Sequence, residues 1–367
     1  MKYTSILYAS YDNKVFEQQS TETSTSSSSA TFSSTASGYT LIESINNSMN
    51  LLMQDNFNDP NITQNNLNIT ITSTVVPTFY TIIDNISSPP CIIFDNNNNL
   101  YITSTGTPNK LLKYNKNYVL ENFVSDEAWI NNDESTLPVA MAFNKDFTYM
   151  YIANFESNNI TVIDMEDYTY KSLQLNTEDI SDENTRGYRL NQPNGLAFDS
   201  TYSYMVATNI TDANLVKIEL QNSPYIASIS PFIDKTIESP ILITNNNSNN
   251  NFYVSDLVSS TVYKVNENHL SKFVGPDSIF QPRGVSFNTN YNNKLWITNS
   301  TNSSNTTTEY PIVSADIETC SIINILNDTL FNNPRGVIFD EQNYMYICNF
   351  GTENNIGSIL KSTLPVE

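Results

Sequence analysis

One pattern recurs six times between residues 89 and 349, and it restricts the possible folds more than any other feature of the chain. The last copy shows it most fully: Pro334-Arg335-Gly336-Val337-Ile338-Phe339-Asp340, a polar turn, then Tyr344-Met345-Tyr346-Ile347-Cys348-Asn349. Both halves alternate apolar with polar or small residues, as half-buried strands require, and the proline stands at the start, where a missing backbone donor does least harm. The aligned prolines are Pro89, Pro138, Pro193, Pro240, Pro282 and Pro334, spaced by 49, 55, 47, 42 and 52 residues. Short strands repeating roughly every 40 to 50 residues are the mark of a β-propeller, in which each repeat is one blade.

Each repeat supplies a third strand, at 110–114, 160–165, 215–220, 261–265, 312–317 and 357–361. A fourth follows in most, as at 170–175, 270–274 and 321–326. The expected architecture is an all-β, six-bladed propeller of four-stranded antiparallel blades spanning residues 70–367. Only residues 362–367 follow the third strand of the sixth repeat, so its fourth strand has to come from elsewhere. Rings remove exposed edges by borrowing a strand from the other terminus, and the β-branched segment 79–83 is expected to pair beside 358–360. The fourth repeat is the most degenerate: it reads Pro240-Ile241-Leu242-Ile243-Thr244-Asn245, without Gly or Phe, and its inner strand is expected to be shifted.

Residues 1–69 form a different region, a low-complexity extension with a Ser/Thr tract over 20–40 that has no apolar period and reads as a flexible tail or linker. Within it, Leu41, Ile42, Ile45, Met49, Leu52 and Met53 fall near helical spacing and predict one short amphipathic helix over 39–53. The first ten residues are too short and too polar an apolar run for a signal-peptide core. No stretch approaches the roughly 18 apolar residues of a membrane span.

Charge excludes further classes. The net charge is −21 with 17 Lys and Arg in all, and the few cations form no cluster, so a nucleic-acid backbone is repelled. The 55 Asn, 42 Ser and 38 Thr give a bias that resembles proteins of AT-rich genomes, such as those of protists and large DNA viruses. The same bias accounts for eleven Asn-x-Ser/Thr sequons, since composition alone yields about that number, and they carry no argument for secretion.

The pattern Pro-x-Gly-apolar-x-Phe-Asp, turn, Tyr-apolar-small-Asn/Asp resembles the NHL repeat, whose family forms six-bladed β-propellers. The resemblance covers residues 70 to 365 and implies a rigid interaction scaffold. Cys91 and Cys348 then occupy the small packing positions held elsewhere by Gly or Ala and by Ala, Ser or Thr. A disulfide between the first and last blades is the alternative reading.

The resemblance also places the residue after each proline near one mouth of the central channel. Those residues are Pro90, Val139, Asn194, Ile241, Arg283 and Arg335. Asn194, within Gln192-Pro193-Asn194-Gly195, looks like the metal-ligand Asn of gluconolactonase-like hydrolases, but Ile241 stands one blade later and no matching Glu opens the first blade. Arg283 and Arg335 are candidate anion ligands on adjacent blades, with structural salt bridges as the competing reading. His269 is the single histidine, expected at the surface, which excludes His-rich zinc sites. Asp95-Asn96-Asn97-Asn98-Asn99 lacks the Gly and Glu of a calcium loop and reads as a hairpin turn, and the acidic connection with Glu178, Asp179, Asp182 and Glu183 as a solvated loop. Asn194, Arg283 and Arg335 are therefore the weak ligand-site candidates, with no catalytic residue and no cofactor expected. The expected role is a non-enzymatic scaffold that binds a protein partner or further copies of itself, a virion-surface or fibre component if the origin is viral. The alternative is a metal-dependent, lactonase-like hydrolase.

Overall fold

A computed structural model describes residues 77–366 apart from 107, 124–136, 177–188, 268, 289–290, 301–310 and 352–355. Before them it describes the strands Tyr3–Tyr11, Lys14–Phe16, Thr31–Ser34 and Asn68–Thr74. These four form one antiparallel sheet around Tyr3–Tyr11, within the first of two units, Met1–Thr78 and Phe79–Glu367. Residues 70–74, expected with the propeller, thus pair in the first unit. The helix expected over 39–53 and the acidic connection lie outside the described residues.

The alternating runs of the second unit build six blades in a ring. Blade 2 shows the plan: Pro138–Phe143, Tyr149–Asn154, Asn159–Asp164 and Tyr170–Ser172 pair antiparallel in that order. Each Phe-Asp pair ends a first strand, and its carboxylate holds the following turn. Asp95 accepts from the Asn97 and Asn99 amides at 2.8 and 2.9 Å, and Asp340 from those of Gln342 and Tyr344 at 3.0 and 2.9 Å. Asp95 therefore works as an Asx turn, as the sequence predicts. First strands pack against those of the neighbouring blades all round the ring, including Pro334–Phe339 against Ile92–Phe94, so they are innermost and line the channel.

Closure follows the expected course. Phe79–Ser87 pairs antiparallel with Ile356–Ser362, setting Ile83 opposite Ile359 and Phe79 opposite Ser362, and supplies the fourth strand of blade 6. Phe79, Ile83 and Ile86 are buried there. Burying such side chains contributes about 1.5–3 kcal/mol each, enough to hold a strand borrowed from the other end of the propeller.

The blades interlock through one recurring aromatic contact. The second-strand aromatic of one blade meets the Phe of the next blade's Phe-Asp or Phe-Asn pair: Tyr101–Phe143, Tyr151–Phe198, Tyr253–Phe287, Trp296–Phe339 and, across the closure, Tyr346–Phe94. Centroids lie 4.9 to 6.0 Å apart, within the favourable range for aromatic pairs. Between blades 3 and 4 both partners are missing, because Val206 and Asn245 occupy the two positions. Phe232 and Phe252, 5.2 Å apart, fill that interface.

The fourth blade is not shifted. Proline pairs with the second-strand Asn or Asp and the ladder then slips by one residue in blades 2 to 6 alike, as in Pro193↔Asn209 then Leu196↔Ala207, and Pro240↔Asp256 then Ile243↔Val254. The proline and the two residues after it make a β-bulge opposite the small residue, and Ile241-Leu242 adopts it without glycine. The missing Gly and Phe reflect a changed packing partner, not a changed register.

Candidate functional site at the channel mouth

The bulge sets the geometry of the mouth, since two residues there oppose one on the partner strand and the chain bends. Opposite it, a buried hydroxyl joins adjacent blades. Thr208 Oγ1 accepts from the Gly195 amide at 2.7 Å and donates to the Ile241 carbonyl of the next blade at 2.8 Å. Thr298 repeats this with Gly284 at 2.7 Å and the Arg335 carbonyl at 2.6 Å, and Ser255 with Leu242 at 3.1 Å and the Arg283 carbonyl at 2.7 Å. The small residue of the repeat is therefore a bridge wherever it carries a hydroxyl in these three blades.

The Asn or Asp that follows holds the loop entering its own blade. Asn349 accepts from the Asn332 amide at 3.0 Å and donates to the Leu330 carbonyl at 2.6 Å, and Asn209 does the same with Asn191 and Arg189. The residues before five of the six prolines, Ser88, Leu137, Gln192, Gln281 and Asn333, adopt positive φ, and Ser239 of blade 4 does not. This strain recurs at one level of the ring and sits beside the candidate ligands.

Arg283 and Arg335 are brought side by side. They occupy equivalent bulge positions on adjacent first strands, and the backbones approach so closely that a Cβ on Gly284 would overlap the Arg335 carbonyl. Both side chains are half-buried. Arg283 Nε donates to Ser300 Oγ at 2.9 Å. The Arg335 guanidinium carbon lies 3.2 Å from the Phe350 ring centroid, a cation–π stack, and its Nε is buried without a hydrogen-bond partner. Ion pairs among the described residues use Lys113, Arg189, Lys217 and Lys361, and neither channel arginine meets a carboxylate there. Among the described residues, then, neither arginine makes the salt bridge of the competing reading. Burial, then the Arg283 charge, pushes the Arg335 guanidinium down to about 9, and burial lowers Arg283. Loss of water explains both directions, and the like charge of Arg283 adds to it at Arg335.

Asn194 holds the same position in blade 3, separated from Arg283 by the Ile241 strand, so the structure does not bring it to the arginines. Among the described residues no three His, Cys, Asp or Glu side chains cluster as a metal site would require. His269 is exposed, at the start of the outer strand of blade 4. Cys91, Cys320 and Cys348 are free thiols, the first and last buried. Ser300 and Phe350 were missed by the sequence reading, though a signal existed: each directly follows the second-strand Asn, which pairs with the repeat proline.

No protein-family model and no curated protein sequence matches the chain. Solved structures do resemble it. A protein of unknown function from Bacteroides thetaiotaomicron is 13% identical over 81% of this chain and 80% of that one, with a TM-score of 0.57. A gluconolactonase from Xanthomonas campestris is 13% identical over 79% and 95%, at 0.56. An auxiliary nutrient binding protein from Bacteroides thetaiotaomicron is 12% identical over 76% and 69%, at 0.55. At these identities the likeness is one of fold: six blades in a ring.

Proposed function

We propose that the chain is a non-enzymatic propeller acting as a protein-interaction or structural scaffold. The observation that carries this reading is on the rim. Tyr80, Ile323 and Ile325 on the outer strands of blades 6 and 5, with Val119 and Leu120 at that of blade 1, are exposed apolar side chains on three consecutive blades. Apolar exposure that recurs on neighbouring outer strands of a chain with net charge −21 fits a surface that another protein covers. Unpaired outer strand edges on the same blades add main-chain donors and acceptors.

The chemistry at the mouth disfavours the hydrolase alternative. A hard divalent cation takes six or more oxygen ligands, chiefly carboxylates, and the six positions after the prolines offer one carboxamide, two guanidinium groups and three apolar side chains. The gluconolactonase likeness brings a fold without that ligand set. If the compositional bias is that of a viral genome, the scaffold belongs on the surface of a particle or fibre, and its absence from purified particles would remove that part. Native mass measurement with elemental analysis tests the main proposal. Assembly beyond the 41.4 kDa monomer without a stoichiometric divalent metal is expected, whereas a metal-loaded monomer that hydrolyses lactones would overturn it.

A further inference from the structure

Arginine is scarce in this chain, and carboxylates outnumber cations 38 to 17. Surface electrostatics alone would therefore give every arginine a carboxylate. Arg283 and Arg335 instead stand half-buried and adjacent, without one among the described residues. Their positions are fixed from behind. The Ser255 and Thr298 hydroxyls hold the two arginine carbonyls, Phe350 stacks under one guanidinium, and Ser300 holds Nε of the other. Such rigid, paired cations cost desolvation and mutual repulsion in the empty state, and an anion between them offsets both.

We propose that Arg283 and Arg335 form a binding site for a compact, doubly charged oxyanion, a phosphate monoester or a small dicarboxylate, at the mouth of the propeller channel. The planar guanidinium fork fits two oxygens of either group. Arg283 has its Nε engaged by Ser300 and Arg335 has its Nε buried, so the terminal nitrogens of both are the groups left for an anion. Two adjacent cations match a dianion in charge. A long polyanion is excluded by the field of the remaining chain, net −21, so the ligand is a single group and not a nucleic-acid backbone. This site goes beyond the scaffold reading and stands independently of it.

Isothermal titration of the full chain with inorganic phosphate, and separately with malonate, at constant ionic strength set by chloride, tests the site. Saturable binding of at least one anion is expected, weakened roughly ten- to hundredfold in Arg283→Met and in Arg335→Met, the loss of charge-assisted hydrogen bonds. Tighter phosphate binding assigns a phosphate monoester; tighter malonate binding assigns a dicarboxylate. A second readout separates ligand binding from packing. In chloride alone, each Met variant should unfold at a temperature equal to or above that of the parent, because a counterion-free buried charge has been removed. Absence of saturable binding by both anions, unchanged binding in the variants, or Met variants that unfold below the parent in chloride would each overturn the proposal.

Discussion

At the scale of single residues, the repeat's glycines and small side chains are packing parts whose tolerances differ from blade to blade. A methyl group on Gly284 would overlap the Arg335 carbonyl, whereas on Gly336 it would lie 3.1 Å from the Pro90 carbonyl and 3.3 Å from Cys91 Cα. Gly284→Ala should therefore destabilise by about 3 kcal/mol, the upper end of overpacking costs, and Gly336→Ala by less than about 1 kcal/mol, read from denaturant midpoints. Equal costs would mean that the two bulges do not differ in their clearance. The buried thiols give a second test. Burial pushes Cys91 up to about 11 and raises Cys348 well above the ordinary thiol value, so both stay protonated and unreactive near neutral pH, while Cys320 is exposed. A thiol-exchange reagent at pH 8 should titrate Cys320 alone in the native protein and all three cysteines after denaturation without reductant. Recovery of Cys320 alone from the denatured chain would reveal a bridge between Cys91 and Cys348.

At the scale of elements, the ring is held by interfaces that repeat and by one strand that does not. Phe79–Ser87 completes blade 6 from the other end of the propeller, and its amides should exchange as slowly as those of Ile356–Ser362. Ile83→Ala should cost about 2–5 kcal/mol, as for other buried isoleucines, and unprotected amides over 79–87 would contradict the closure. Blade number, strand order and this closure were legible in the sequence because they follow from the repeat spacing and from counting strands. The bulge was less legible. Its sequence trace, Pro-x-Gly, disappears in blade 4 while the geometry persists, since Ile241 and Leu242 fit the same backbone opposite Ser255. The environment of the arginines was legible only in part, through the position of Ser300 and Phe350 directly after the second-strand Asn. That these two side chains reach the arginines from the far end of the second strand is a fact of three-dimensional packing that no spacing records.

At the scale of the whole molecule, the proposed scaffold role assigns the holding of partners to the apolar rim of blades 5, 6 and 1. Among the described residues no three His, Cys, Asp or Glu side chains cluster as the ligands of a metal-dependent hydrolase would. The rim strands carry the burden of the scaffold reading, since Ile323 and Ile325 are each more than two-fifths exposed on one outer strand. The most direct test is the native mass of the full chain, beside that of an Ile323→Lys, Ile325→Lys double variant, with bound metal measured on the same samples. The scaffold reading predicts a complex larger than 41.4 kDa that disperses in the variant and carries no stoichiometric divalent ion. A 41.4 kDa monomer that is unaffected by the substitutions and holds a divalent ion in equimolar amount would contradict it.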